Sequence, residues 1–240
     1  MAIEVFNRME KKYMLDEDTY RKFSERIAPY MEADAFCDND NFYSIHNIYY
    51  DTEHDELIRR SIEKPVYKEK LRLRSYGIPT LEDQVFLEIK KKFRGLVNKR
   101  RTVIKLGQAY DFIDKRIFPT EGDYLNQQVL REMEYFLDFY KPKPKVFLKY
   151  DRKALFWKED SDLRITFDRN IRTRRNHLRL EEGDDGELLL EEGKVLMEIK
   201  TSTSFPLWLT NILTEYEIKG VSFSKYGTEF RKSVLMNRKS

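Results

Sequence analysis

The sequence is poor in cysteine, histidine and glycine, and each shortage excludes a class of chemistry. One cysteine in 240 residues rules out an intrachain disulfide and makes a reduced compartment the default. The three histidines, His46, His54 and His177, are scattered without the spacing of zinc ligands. The nine glycines form no Gly-x-x-x-x-Gly-Lys-Ser/Thr loop, so any phosphate would have to be held by side chains.

Long apolar runs and a strong net charge are also missing. No run approaches the ~18 apolar residues of a membrane span, and the amino terminus lacks an apolar signal core. We therefore expect a soluble cytoplasmic protein without a membrane span. The net charge is only +3, and the basic residues are not gathered in a tail or in one helix, so DNA is not expected as a partner.

Charge of both signs is what the sequence has in plenty. Charged residues make up 36% of the chain, well above the usual quarter. Because successive side chains of a strand point to opposite faces, segment 68–74 places its leucines on one face and four cations on the other: Lys68, Lys70, Arg72 and Arg74. A solvated edge strand would explain one such segment.

The same alternation recurs in segments 8–12, 85–92, 146–152, 163–168 and 197–200. In each, charged residues share a parity and apolar residues take the other face. A second face dominated by Arg and Lys with an occasional Glu is typical of a barrel with a polar lumen, covered by helices outside. No linker or fixed repeat interrupts the chain, so we expect one domain over residues 1–240.

Periodicity also predicts the individual elements. Strands are expected at 3–14, 45–50, 66–76, 84–92, 97–105, 145–157, 163–172 and 194–201. Helices are expected at 16–31, 51–60, 108–116, 124–140, 205–216 and 228–236.

A cationic lumen is suited to phosphate groups. Arginine forks hold two oxygens of one phosphate, and lysines act as adaptable point charges. A divalent ion that bridges phosphates needs one or two carboxylates, for which Glu10, Glu88 and Glu198 are candidates. Each can equally neutralise a neighbouring cation. Phosphoryl transfer depends mainly on placement and charge neutralisation, so a missing nucleophile motif is no obstacle.

Seven motifs in this order resemble the VTC domain, the polyphosphate polymerase branch of the triphosphate tunnel metalloenzymes in the CYTH-like superfamily. The resemblance spans about residues 4 to 235. The motifs are Arg8-Met9-Glu10-Lys11-Lys12-Tyr13, Leu71-Arg72-Leu73-Arg74-Ser75-Tyr76-Gly77, Leu87-Glu88-Ile89-Lys90, Tyr150-Asp151-Arg152, Leu163-Arg164-Ile165-Thr166-Phe167-Asp168, Met197-Glu198-Ile199-Lys200 and Phe223-Ser224-Lys225-Tyr226.

The resemblance implies an α+β fold, a closed eight-stranded antiparallel β-barrel with a polar lumen, surrounded by helices. It implies transfer of the γ-phosphate of ATP to inorganic polyphosphate with Mn²⁺ or Mg²⁺. Triphosphate or product chain would contact Lys12, Arg72, Arg74, Lys90, Lys99, Tyr150, Arg152, Ser224 and Lys225, to which we add Lys200. Lys225, Arg72 and Arg74 would be catalytic, Glu198 would hold the metal, and we add Glu10 as a second metal ligand.

One departure bears on the reaction. CYTH-type tunnel triphosphatases carry Glu-x-Glu-x-Lys in the first strand, and here Arg8 replaces the first carboxylate. Loss of that carboxylate weakens the case for a positioned hydrolytic water and favours the polymerase. The alternatives are a tunnel triphosphatase acting on inorganic or nucleoside triphosphate, and a non-catalytic polyanion-binding module. The sequence does not define the oligomeric state.

Overall fold

The computed structural model describes residues 9–34, 37, 41–94, 96–119 and 125–237. Arg8 and the preceding residues of the first predicted strand, and Gly95, between the predicted strands 84–92 and 97–105, lie outside these residues. The strands are β1 (Met9–Asp16), β2 (Met31–Ala33), β3 (Tyr43–Asp51), β4 (Tyr67–Tyr76), β5 (Gln84–Phe93), β6 (Leu96–Lys105), β7 (Lys143–Trp157), β8 (Arg164–Arg174), β9 (Glu187–Leu188) and β10 (Lys194–Thr201). The helices are α1 (Glu17–Ile27), α2 (Glu56–Ile62), α3 (Leu106–Lys115), α4 (Gln127–Tyr140), α5 (Leu207–Glu215) and α6 (Lys225–Asn237).

The strands form one antiparallel ten-stranded sheet in the order β1-β10-β8-β7-β3-β4-β5-β6, with β2 beside β7 and β9 beside β8. No pairing joins β1 to β6 within the described residues, so the prediction of a closed eight-stranded barrel is wrong. Part of the reason is that the outer edge of β1 is already occupied. The backbone N–H of Val221 donates to the carbonyl of Lys12 at 2.7 Å, and Tyr13 bridges to Gly220.

The open sheet is nevertheless strongly curled. Lys12 on β1 and Lys90 on β5 line the same cavity, although five strands separate β1 from β5 in the sheet order. The convex side is apolar and carries four helices. Helices α3 and α4 cover strands β3 to β6 through residues such as Leu71, Leu87 and Phe136, and α1 and α5 cover β1, β8 and β10 through residues such as Phe23 and Met197.

The concave side has an apolar part and a charged part. Its apolar part includes Ile45, Leu148 and Leu196, and it is covered by α2 and α6 through Ile58, Tyr226 and Phe230. The remainder carries charged side chains, and none of the six helices of the described residues packs across it. The two covering helices thus confine the charged residues to one half of the curled sheet.

Several local predictions were wrong. The predicted helix at 16–31 ends at Ile27, and Met31–Ala33 instead pairs with β7. Pro206 is the N-cap of α5 and not part of its first turn, and α6 begins at Lys225, three residues earlier than predicted. In the part of the chain that the structure describes, no helix is both long and apolar enough to cross a bilayer.

Candidate anion-binding site

The charged half of the concave side, which we call the charged face, is assembled by strand alternation. Leu71 and Leu73 of β4 pack under α3 and α4, which forces the intervening cations to the concave side. The same parity operates in β1, β5, β6, β7, β8 and β10. The members of the charged face are Glu10, Lys12, Asn47, Tyr49, Lys70, Arg72, Arg74, Glu88, Lys90, Lys99, Tyr150, Arg152, Asp168, Glu198, Lys200, Ser224 and Lys225.

A first ion cluster joins β1 to β10. The ammonium of Lys12 lies 3.0 Å from Glu10 and 3.5 Å from Glu198, while Lys200 lies 3.7 Å from Glu10 and also contacts Glu198. Burial and the mutual repulsion of the carboxylates oppose ionisation of Glu10, but the lysines outweigh both and hold its pKa below the ordinary value. Burial is likewise outweighed at Glu198, whose pKa lies far below its usual range because of Lys200 and Lys12.

A second ion cluster is centred on Glu88 of β5, whose side chain is almost wholly buried. Arg72 donates to it at 2.5 Å, Arg74 lies 3.8 Å away, and Lys99 contacts its other oxygen. Burial alone would raise the pKa of Glu88, but the surrounding cations, Arg72 first, hold it well below its usual range. Glu88 therefore stays ionised and fixes three cations from β4 and β6.

A third ion cluster is centred on Asp168 of β8, which is fully buried. Arg152 makes two parallel hydrogen bonds to it, at 2.6 and 2.7 Å, and Lys225 at the start of α6 lies 2.5 Å from the same carboxylate. A paired fork of this kind holds a guanidinium in a fixed plane. Burial opposes the charge of Asp168, but Arg152 and Lys225 still lower its pKa.

Polar side chains of β3 and β7 connect the clusters. Arg74 donates to Asn47 at 3.0 Å and to the hydroxyl of Tyr150 at 3.2 Å. The ring of Tyr150 lies beneath Lys225, at 4.5 Å, and Arg152, at 5.0 Å. Three cations from β4, β7 and α6 thus converge on one buried tyrosine.

Tyr49 makes a similar connection to the second cluster. Arg72 donates to its hydroxyl at 3.3 Å, and its ring stacks on that of Tyr226 at 4.9 Å between centres. Burial would raise the pKa of Tyr49, yet the charges of Arg72 and Lys70 outweigh it and lower the pKa to about 8.

Two lysines of the charged face make no ion pair with a carboxylate of the described residues. Burial lowers the pKa of Lys70 to about 8, and it also lowers the pKa of Lys90. They lie directly opposite each other on β4 and β5. Ser224 lines the same cavity of about 270 Å³, where its hydroxyl accepts the N–H of Gly227 at 3.2 Å.

The structure brings all the sequence-predicted site residues to the charged face. Sequence reasoning had left out Asp168, Asn47, Tyr49 and Lys70 from the predicted binding and metal-ligand sets, and it had named Glu88 only as a candidate carboxylate for a metal or for a neighbouring cation. Side-chain alternation had placed Asp168 and Glu88 on the same face as the cations of their strands, and this was the signal that the sequence offered. Neutralisation of a neighbouring cation was one of the two roles expected of Glu88, whereas nothing in the sequence indicated that Asp168 would become the centre of an ion cluster.

A divalent ion would have to rely on few protein ligands here. Within the described residues no group of three or more His, Cys, Asp or Glu side chains could hold a metal. Glu10 and Glu198 nevertheless lie close enough to share Lys12 and Lys200. Mg²⁺ sites that include substrate phosphates often use only one or two carboxylates, with water completing the shell. The pair therefore fits a metal that binds together with phosphate.

Fold and face together define a curled antiparallel sheet whose concave side holds an array of cations and embedded carboxylates. The sequence model of the VTC domain matches residues 7–234, and the chain belongs to the VTC domain family. No protein of curated function matches the chain.

Solved structures share the fold at low identity. A proposed adenylate cyclase from Bacillus halodurans is 14% identical, with a TM-score of 0.54, over 90% of this chain and 93% of that one. A proposed adenylate cyclase from Vibrio parahaemolyticus is 15% identical, with a TM-score of 0.50, over 93% and 97%. A proposed adenylyl cyclase from Hippeastrum, described as having a dominant triphosphatase activity, is 16% identical, with a TM-score of 0.50, over 94% and 96%.

Proposed function

We propose that this protein is an ATP-dependent polyphosphate polymerase that transfers the γ-phosphate of ATP to a growing inorganic polyphosphate chain. The observation that carries the proposal is the convergence of Arg74, Arg152 and Lys225 on Tyr150. A triphosphate concentrates several negative charges in a small volume, so it requires cations from separate elements that meet at one place. Membership of the VTC domain family supports the same reaction.

The reaction needs little covalent help from the protein. A terminal oxygen of the acceptor chain, already anionic near neutral pH, attacks the γ-phosphorus of ATP. The bond between the γ-phosphorus and the oxygen that joins it to the β-phosphate breaks, and ADP leaves. Arg72, Arg74 and Lys225 neutralise the charge on the transferred group and hold it in line, which is the main contribution of protein to phosphoryl transfer.

The remaining predicted residues bind the phosphates on either side. Lys12, Lys90, Lys99, Lys200, Tyr150, Arg152 and Ser224 surround this position on the charged face. Glu198 and Glu10 would hold Mn²⁺ or Mg²⁺, and the ion would supply positive charge to neutralise the phosphates. The ion pairs of Lys12 and Lys200 keep both carboxylates ionised and ready for a metal.

The test is to incubate the protein with ATP and Mn²⁺ and to follow phosphorus species by ³¹P NMR. We expect ADP and internal phosphates of a polymer, both lost in Lys225→Ala. Lys219→Ala is the matched control, because it removes an exposed charge from the segment between α5 and α6. This variant should still form ADP and polymer. Release of orthophosphate without polymer would refute the proposal.

A triphosphatase is the second candidate, and the Hippeastrum neighbour described as a triphosphatase is the observation that favours it. A water molecule would then replace the acceptor oxygen. Arg8→Glu would restore the Glu-x-Glu-x-Lys pattern of the related triphosphatases. If the chain is a triphosphatase, this substitution should raise hydrolysis of tripolyphosphate, and an unchanged rate would count against it.

A further inference from the structure

Three aromatic side chains from β3, β4 and β5 lie together at one end of the charged face. The rings of Tyr43 and Tyr76 lie 5.8 Å apart between their centres, and the rings of Tyr76 and Phe86 lie 5.8 Å apart in an edge-to-face arrangement. We call these three residues the aromatic platform. Tyr76 is 43% exposed, while Tyr43 and Phe86 are half-buried. The platform therefore presents aromatic surface to solvent.

Strand register places the platform on the same side of the sheet as the charged face. Tyr76 follows Arg74 two residues further along β4, a step of about 6.8 Å. Phe86 lies directly opposite Arg74, and Tyr43 lies directly opposite Arg152. Each ring is thus the neighbour of an arginine that belongs to the proposed phosphate site.

The platform is bordered by positive charge. The guanidinium of Arg101 lies over the ring of Phe86, 5.0 Å from its centre. Burial raises the pKa of Tyr43 to about 12, although the charges of Arg152 and Arg164 oppose the rise. The hydroxyl of Tyr43 consequently stays neutral at pH 7, and it adds no negative charge that would repel an anionic ligand.

This combination of groups selects one kind of ligand. Nucleobases stack on aromatic rings, and arginine contributes through cation–π contacts. Along one face of β4 the order is Arg72, Arg74 and Tyr76, so two phosphate-binding cations are followed by a ring. A nucleoside triphosphate has the matching order, with phosphates at one end and a base at the other. A bare polyphosphate has no group that would use the rings.

We infer that the aromatic platform stacks against the base of the bound nucleoside triphosphate, with the base at Tyr76 and the γ-phosphate directed toward Arg72. The inference rests on the proposed function and adds to it the direction in which ATP binds. Stacking tolerates every base, because each has a π-face. A purine offers more ring surface than a pyrimidine, so ATP and GTP should bind more tightly than CTP and UTP.

The test compares two ligands in calorimetric titrations: tripolyphosphate, and the ATP analogue in which nitrogen replaces the oxygen between the β- and γ-phosphates. In Tyr76→Ala, affinity for the analogue should fall about tenfold, as expected when a stacking ring is removed, and affinity for tripolyphosphate less than about twofold. Tyr76→Phe keeps the ring and should retain both affinities. Retained binding of tripolyphosphate shows that the charged face of a variant is intact.

Kinetics and fluorescence give two further measurements. In reactions with ATP, Tyr76→Ala should raise KM about tenfold and change kcat less than about twofold, because stacking holds the substrate and the transition state equally. The triphosphate of fluorescent aminopurine riboside should lose emission when it binds the wild type, since stacking quenches it. That quenching should disappear in Tyr76→Ala and persist in Tyr76→Phe.

Tyr135→Ala is the matched control, because it removes an exposed tyrosine from α4, which packs on the opposite side of the sheet. It should leave both affinities, KM and the quenching unchanged. An equal loss of analogue affinity in Tyr135→Ala would overturn the inference. So would unchanged analogue affinity in Tyr76→Ala, or an equal loss of analogue and tripolyphosphate affinity in that variant.

These results separate the two proposals. A wild-type protein that makes no polymer but binds the analogue through Tyr76 refutes the polymerase and supports the platform as a base-binding site. A protein that makes polymer, and whose KM for ATP is the same with and without the ring at position 76, supports the polymerase and refutes the platform.

Discussion

Glu198 is the residue on which the proposed metal chemistry most depends. It shares two lysines with Glu10, so its substitution by Gln leaves Lys12 and Lys200 with one carboxylate partner. We expect Glu198→Gln to fold and to lose about 100-fold in metal-dependent turnover, the size of effect seen when a metal site is disturbed. Steady-state assays at several Mn²⁺ concentrations would measure it.

Glu192→Gln is the matched control, because Glu192 is an exposed carboxylate in the turn before the same strand. It should retain wild-type turnover. If Glu198→Gln keeps its turnover within twofold of the wild type, Glu198 is not the metal ligand and serves only to neutralise its lysines.

Lys70 and Tyr49 make the charged face sensitive to pH. The pKa of each lies at about 8, so Lys70 loses its charge and Tyr49 gains one as the pH rises through that value. Both changes remove net positive charge, and affinity for tripolyphosphate should therefore fall between about pH 7 and about pH 9. Calorimetric titration at fixed ionic strength would show this.

Stability should move in the opposite direction over the same range. Both groups bind protons more weakly in the folded chain than in the unfolded chain, where lysine titrates near 10.5 and tyrosine near 10. The unfolded state therefore holds more protons above pH 8, and the free energy of unfolding should increase through both groups as the pH rises.

Variants test the affinity prediction. Lys70→Arg, which keeps its charge, should flatten the dependence of tripolyphosphate affinity on pH. An equally steep dependence in Lys70→Arg/Tyr49→Phe would show that these two groups do not cause it.

At the scale of elements, Asp51 connects three of them. This fully buried carboxylate of β3 accepts the N–H groups of Leu57 and Ile58 at the start of α2, each at 2.9 Å, and the hydroxyl of Tyr226 in α6 at 3.0 Å. Tyr226 adjoins Lys225, so Asp51 also determines where α6 places that lysine.

Asp51→Asn should destabilise the fold by about 1–3 kcal/mol, since an amide offers one acceptor oxygen where the carboxylate offers two and buried donors lose their partners. Tyr226→Phe should cost less, because it removes a single hydrogen bond. Urea denaturation would measure both. Asp83→Asn changes an exposed carboxylate that accepts the backbone N–H of Thr80 in the turn before β5. It should shift the urea midpoint less than Asp51→Asn or Tyr226→Phe, and a larger shift would contradict this account.

Strands β4, β5, β6 and β10 were predicted nearly to the residue. The two faces of β4 meet different surroundings, apolar helices outside and charge inside, so its alternation is strict and can be read directly. The short strands β2 and β9 were missed, because three and two residues carry no periodicity and exist only through pairing with β7 and β8.

The centres of the ion clusters depend on register, which alternation does not supply. Asp168 lies opposite Arg152 only after the pairing of β7 with β8 shifts between Lys149 and Asp151. The open sheet could not be predicted for a similar reason. An alternating strand looks the same in an open and in a closed sheet, and the contact of Lys12 with Val221 is made by a distant part of the chain.

For the molecule as a whole, the charged face makes stability depend on anions. Unpaired lysines and opposed like charges destabilise the ligand-free state, and a polyanion removes that repulsion. At a tripolyphosphate concentration of about 100 times Kd, the free energy of unfolding should rise by about 2.7 kcal/mol. Urea titrations with and without ligand would show it, and added salt should weaken the effect. Chloride at matched ionic strength should not reproduce it.

The lone thiol of Cys37 gives the molecule a built-in reporter. Its sulphur is buried and lies within hydrogen-bond distance of the backbone N–H (3.4 Å) and carbonyl (3.6 Å) of Ala154, near the carboxyl end of β7. A maleimide dye should therefore label the native chain slowly and the denatured chain at once, with one dye per molecule. Because β7 also carries Tyr150 and Arg152, slower labelling in the presence of a polyanion would register occupancy of the charged face without any engineered cysteine.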